Sequence, residues 1–152
     1  MKRVLKSRLG VTLLEVMLVL AIAAMIIVMS IRYYQSASSS QQANSVLEQI
    51  QGIVAAADGL AQAKGSYSAA GISQSSLTPL LPGGSWSTPW GDPITIGDVT
   101  GTTYTIDLGT VPSGVCPLLT TKLSTNNHFT LSAPTCTVGS GTAEVVTYTS
   151  NP

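Results

Sequence analysis

Charge is scarce in this sequence: 9% of its 152 residues are Asp, Glu, Lys or Arg, against 44% hydrophobic residues and a mean hydropathy of +0.34. So apolar a chain is not a disordered one, and seven Lys and Arg are too few for a nucleic-acid-binding face, so direct nucleic-acid binding is not expected. Histidine occurs once, at His128, and there is no GxSxG, P-loop, HExxH or Ser-His-Asp spacing. The chain is therefore read as a non-enzyme without a cofactor. Cysteine occurs only at Cys116 and Cys136, without a CxxC pair, which argues against a four-ligand zinc site. Asp92, Asp98 and Asp107 could offer oxygens to Ca²⁺, but their spacing fits no EF-hand loop; they are read as solvated turn or strand residues, and no metal is assigned. Proline is absent before Pro79, and no acid precedes Glu15. At about 100–200 residues per domain, the length allows one globular domain plus an appendage and excludes a multidomain enzyme.

The basic charge is concentrated at one end. Lys2, Arg3, Lys6 and Arg8 supply four of the seven basic residues, and the chain beyond residue 10 carries a side-chain balance of −4. Residues 16–31, VMLVLAIAAMIIVMSI, contain no charge, and including 11–14 gives a 21-residue apolar segment interrupted only by Thr12, Glu15 and Ser30. At about 1.5 Å per residue such a helix reaches the roughly 30 Å of a bilayer's hydrocarbon core. The far end reads SIRYYQSASSS, in which Arg32, Tyr33 and Tyr34 resemble an interfacial anchor more than the cleavage site of a secretory signal. The basic cluster ahead of the segment predicts a cytoplasmic N-terminus and an exported remainder.

Helical spacing continues past the apolar segment. Ala43, Val46, Leu47, Ile50, Ile53, Val54, Ala57, Leu60 and Ala61 recur at intervals of three and four, and Lys64 followed by Gly65 supplies a C-terminal stop. One helix is expected over residues 12–63, apolar all round in its first half and amphipathic in its second. After Gly65 all eight prolines occur, and Ser, Thr and Gly dominate. Strands are expected at 94–96, 102–108, 128–131 and 144–148, with turns at Pro82-Gly83-Gly84, Gly97-Asp98, Thr100-Gly101 and Gly139-Ser140-Gly141. Three or four short strands cannot close a barrel, but a small antiparallel sheet can bury one face on the helix stripe. The fold class is thus α+β: a long N-terminal helix packed on a small antiparallel sheet.

Both cysteines fall in the exported part, where a pair is expected to be a disulfide rather than two buried free thiols. A loop of this size is stabilised by about 3 kcal/mol in the chain-entropy account. The bridge is expected to clamp the C-terminal part of the sheet and to close residues 117–135 as a surface loop with a returning strand. Glu15 is the remaining oddity. A carboxylate near the bilayer centre costs about 2.5–3.5 kcal/mol, less toward the interface. Either it snorkels at the cytoplasmic headgroups, or it awaits a cation from a partner.

The run Gly10-Val11-Thr12-Leu13-Leu14-Glu15, behind its short basic leader, resembles the type IV prepilin signature, with Glu fifth after the cleavage point. With the apolar helix, the helix-then-sheet order and the downstream Cys pair, the resemblance covers essentially the whole chain. It implies a leader at residues 1–10 removed by a membrane prepilin peptidase between Gly10 and Val11, N-methylation of Val11, a transmembrane and filament-core helix at 11–34, and an exported pilin domain at 35–152. It further implies insertion in a bacterial inner membrane, assembly by an ATPase-powered platform into a homo-oligomeric helical filament at the cell surface, and a salt bridge from Glu15 to the new α-amino group of a neighbouring Val11. Two departures stand out: Val11 replaces the commoner Phe, and Arg32 stands where many members carry a helix-kinking Pro. Thr88-Pro89-Trp90-Gly91 is similar to a stretch in type IVb pilins, although a ten-residue leader is short for them, so a type IVb-like or minor pilin is expected.

Other residues have plainer readings. Trp86 and Trp90 are assigned to core or loop packing rather than to a receptor-binding patch. His128, beside Phe129 in an expected strand, is read as a satisfied or exposed imidazole. Gly52 and Gly59 share a helix face off the apolar stripe and are either tolerated or a close-approach site for a neighbour. Besides the filament subunit, two alternatives remain: a type II secretion pseudopilin, against which the cysteine pair counts, and a single-span membrane protein with a small outer binding domain.

Overall fold

The computed structural model describes residues 12–81, 83–132, 136 and 142–150. Its first element, α1 (Leu13–Lys64), is a 52-residue helix that runs through Arg32 without a break. The chain divides into two compact units, Met1–Ala37 and Ser38–Pro152, and α1 contributes to both. In the first unit every large hydrophobic side chain of α1 from Leu13 to Ile31 is exposed. The one polar residue of the charge-free run, Ser30, donates its hydroxyl to the Ile26 carbonyl at 2.8 Å, so it adds no unsatisfied donor to an apolar surface.

In the second unit α1 is amphipathic, as its spacing predicts. Ala43, Val46, Ile50, Ile53 and Ala57 are fully buried, while Leu47, Val54, Leu60 and Ala61 pack at the margins of the core. The helix stops where a residue without a Cβ becomes available: Gly65 adopts φ +91° and its N–H closes on the Ala61 carbonyl at 2.6 Å.

The stripe forms one core with a four-stranded antiparallel sheet of β1 (Thr95–Gly97), β2 (Thr103–Val111), β3 (Phe129–Leu131) and β4 (Thr142–Thr149), in the order β1-β2-β4-β3. The α+β expectation therefore holds, with strand limits within three residues of those read from the sequence. Central β2 buries Tyr104, Ile106 and Leu108 in strict alternation, then Val111 rather than Thr110. A one-residue bulge accounts for the change of phase: Asp107 pairs with Val145 and Thr110 with Ala143, so three steps on β2 face two on β4. Gly109 sits in the bulge at φ +66°, a conformation that favours glycine.

Two parts of the chain differ from expectation. Residues 66–80, to which the sequence reading assigns no element, form α2 (Tyr67–Ala70), α3 (Gln74–Leu77) and a 3₁₀ turn (Thr78–Leu80). Serine does the work of ordering them: Ser66 accepts from Ala69 N, and Ser73 and Ser76 form a reciprocal capping box. The segment inside the cysteine pair is likewise no surface loop. It opens with α4 (Cys116–Leu123), whose Cys116, Leu119 and Leu123 are buried in the core, before returning as β3. Three- and four-residue spacing within a single eight-residue helix is too short to stand out from a generic apolar run.

Candidate functional site

Gly10 and Val11, the expected cleavage and methylation positions, lie outside the described residues, as do Gly139, Ser140 and Gly141 of the last expected turn. Glu15 stands in the first turn of α1 and is exposed. Its N–H is held by Thr12, through the carbonyl at 3.0 Å and the Oγ1 hydroxyl at 3.3 Å. Thr12 thus occupies the capping position with the acid three residues on, which places the carboxylate where the helix dipole favours negative charge. At the other end of the apolar stretch Tyr33 and Tyr34 are exposed beside Arg32. An 18-residue window of α1 has a mean hydropathy of 2.7, which makes this helix long and apolar enough to cross a membrane.

In the second unit the cysteines are joined: Cys116 and Cys136 form a disulfide with Cα atoms 5.9 Å apart, fixing the first turn of α4 to the stretch leading into β4. They are therefore neither free thiols nor zinc ligands. Beside the bridge Thr120 returns its hydroxyl to the Cys116 carbonyl at 2.8 Å.

The three aspartates serve local structure. Asp92 accepts from Thr110 N at 2.7 Å and Asp107 from Gly109 N at 2.8 Å, so both carboxylates brace the β2 bulge. Asp98 makes the turn between β1 and β2 at φ +45°, which Asp tolerates better than most residues. Among the described residues no three His, Cys, Asp or Glu side chains gather into a metal-binding group. Trp86 and Trp90 pack against the core, and the Trp86 indole donates to Thr78 Oγ1 at 2.9 Å. His128 lies 2.7 Å from the Thr149 carbonyl through Nδ1 and stacks on Tyr148. Among the described residues, a Cβ added at Gly52 or Gly59 would meet nothing within 4 Å beyond the nearby backbone of its own helix.

A polar cluster that sequence reasoning misses lies at the C-terminal end of α1. Asp58 receives the Tyr67 hydroxyl on Oδ1 at 2.5 Å and the Tyr148 hydroxyl on Oδ2 at 3.2 Å. Tyr104 completes the group, its ring 5.1 Å from that of Tyr67 and 5.4 Å from that of Tyr148. Among the described residues its buried hydroxyl has no hydrogen-bond partner. Burial first, and the Asp58 charge second, raise the pKa of Tyr104 above its ordinary 10.0. Burial and Asp58 raise Tyr67 and Tyr148 in the same way, so all three hydroxyls are held protonated. The inward positions of Tyr104 and Tyr148 are legible from strand alternation, but Asp58 gives no sign in the sequence, because it sits between stripe residues like any polar neighbour. Comparison with family models, with curated proteins and with solved structures returned no match.

Proposed function

We propose that the chain is a structural subunit of a type IV pilus-like filament, held in a bacterial inner membrane with its N-terminus cytoplasmic until it is processed and assembled. The observation that carries the reading is the apolar half of α1, whose large side chains from Leu13 to Ile31 are 46–75% exposed. A continuous apolar surface of this length needs lipid or copies of itself around it. Its fusion, in one helix, to a stripe that packs a small sheet and the disulfide-bound α4 suits a subunit that stores its first half in lipid and displays its second half outside.

Apolar helices gain little by exchanging lipid for one another, so close packing and polar pairs must supply assembly specificity. Glu15 is the polar element. After a prepilin peptidase cuts between Gly10 and Val11, the new α-amino group, methylated on Val11, becomes the cation that a neighbour's Glu15 carboxylate accepts in a low-dielectric filament core. The pair exists only after processing, which makes unprocessed chains poor assembly partners. An ATPase-driven platform then lifts each subunit from the bilayer into the growing filament.

Intact-mass measurement of the full chain, co-expressed in membranes with a prepilin peptidase, tests the processing step. Loss of Met1 to Gly10 together with one added methyl is the expected result. A mature chain beginning after Ser36 would identify an ordinary secretory signal, and an uncut chain a plain single-span protein.

A further inference from the structure

The Asp58 cluster borders a cavity of about 380 Å³, lined among others by Asp58, Gln62, Tyr67, Thr102, Tyr148 and Ser150. That volume lies within the range of small-ligand pockets, about 300–1,000 Å³. Its charge is unbalanced. Asp58 is half-buried, and among the described residues it makes no ion pair and no Lys, Arg or His lines the cavity. With the tyrosine hydroxyls held protonated, the wall carries a single formal negative charge among neutral acceptors: the Gln62 amide and the Thr102 and Ser150 hydroxyls.

We propose that this cavity binds a primary alkylammonium group, with Asp58 as its counter-ion. The carboxylate offers about four acceptor positions, and the two tyrosine hydroxyls use one on each oxygen. Among the described residues one lone pair therefore remains on Oδ1 and one on Oδ2, and the hydroxyl and amide oxygens of the wall supply further acceptors for a group with three N–H donors. Guanidinium fits less well, because its fork needs a bare carboxylate edge, whereas here each oxygen is already tied to a different tyrosine. A divalent cation fits worst: Ca²⁺ takes about six to eight oxygen ligands, and among the described residues no other carboxylate lines the cavity. The ammonium can arrive as a free amine or as a lysine side chain. The site is independent of the filament reading, and its failure would leave that reading intact.

The test is calorimetric and NMR titration of the full chain in neutral detergent with n-butylammonium and, separately, with N-acetyl-lysinamide, using sodium as the control cation. Saturable binding of the amines, absent with sodium and weakened at least tenfold in Asp58→Asn, supports the site. Tighter binding of N-acetyl-lysinamide assigns it to a lysine side chain, and equal binding to a free amine. Because Asp58→Asn disturbs two tyrosine hydrogen bonds, Gln62 on the exposed wall provides a second pair of variants: Gln62→Glu should tighten binding several-fold and Gln62→Lys should abolish it. Absence of saturation in the parent chain, or affinities that ignore the charge at both Asp58 and Gln62, would overturn the proposal.

Discussion

Gly109 shows how much of this domain turns on single residues. A Cβ there would lie 2.7 Å from Asp92 Oδ2 and would occupy a backbone conformation that L side chains rarely adopt. Asp92 cannot retreat without releasing Thr110 N. Gly109→Ala should therefore cost about 1–3 kcal/mol, seen as a lower denaturation midpoint in urea, whereas Gly59→Ala, in open space on α1, should be neutral or slightly stabilising. The tyrosines around Asp58 should behave oppositely to one another. Tyr67→Phe removes a hydrogen bond to a carboxylate and should destabilise by about 1.5–3 kcal/mol, while Tyr104→Phe removes a buried hydroxyl without a partner among the described residues and should be neutral or stabilising. Their titration gives a further expectation. A hydroxyl whose pKa is raised by folding lets the unfolded chain ionise first, so stability is undiminished below about pH 10 and falls as the pH rises above it. Urea midpoints measured between pH 8 and 11 should show that late fall, and it should be shallower in Tyr104→Phe. Glu15 belongs to the same scale: Glu15→Ala should leave membrane insertion and leader removal intact and sharply reduce recovery in filaments, and unchanged recovery would refute the pairing with Val11.

Elements whose hydrophobic period extends over several turns or alternations are legible from sequence, and those ordered by single hydrogen bonds are not. The stripe from Ala43 to Ala57 announces the packed half of α1 because 3.6-residue spacing is sustained over four turns, and Gly65 marks the stop. The strands announce themselves through residues such as Tyr104, Ile106 and Leu108, although the bulge that brings Val111 back to the core leaves no mark in a period-two pattern. Helices α2 and α3 are four residues each and owe their order to serine caps, in a segment where serine otherwise reads as loop. Helix α4 was hidden for a different reason: Thr120 and Thr121 are poor helix formers, and burial of Leu119 and Leu123 overrides them. Of the candidate site, Glu15 and the cysteine pair were legible as departures from their surroundings, while the Asp58 cluster depends on tertiary proximity across residues 58–148. The position of α4 sharpens the expectation for the disulfide. Because the bridge secures a core helix rather than a surface loop, Cys136→Ser should destabilise the second unit by about 2–5 kcal/mol. Membrane insertion should be unaffected, and pulse-chase measurement should show faster loss of the chain.

At the scale of the whole molecule, the two units place opposite demands on their surroundings. The first exposes an apolar helix that water does not tolerate, and the second is a closed α+β core with a covalent clamp. In the proposed cycle lipid satisfies the first demand before assembly, and neighbouring copies satisfy it afterwards, with Glu15 supplying a polar contact that lipid cannot reproduce. That cycle requires the processed chain to leave the membrane and become part of a filament. Mass spectrometry of filaments sheared from the surface of cells that produce the chain tests this most directly. The chain should be recovered in the sheared fraction, beginning at an N-methylated Val11 and containing the Cys116–Cys136 disulfide. Recovery of the chain solely from the membrane fraction, with residues 1–10 still attached, would contradict it.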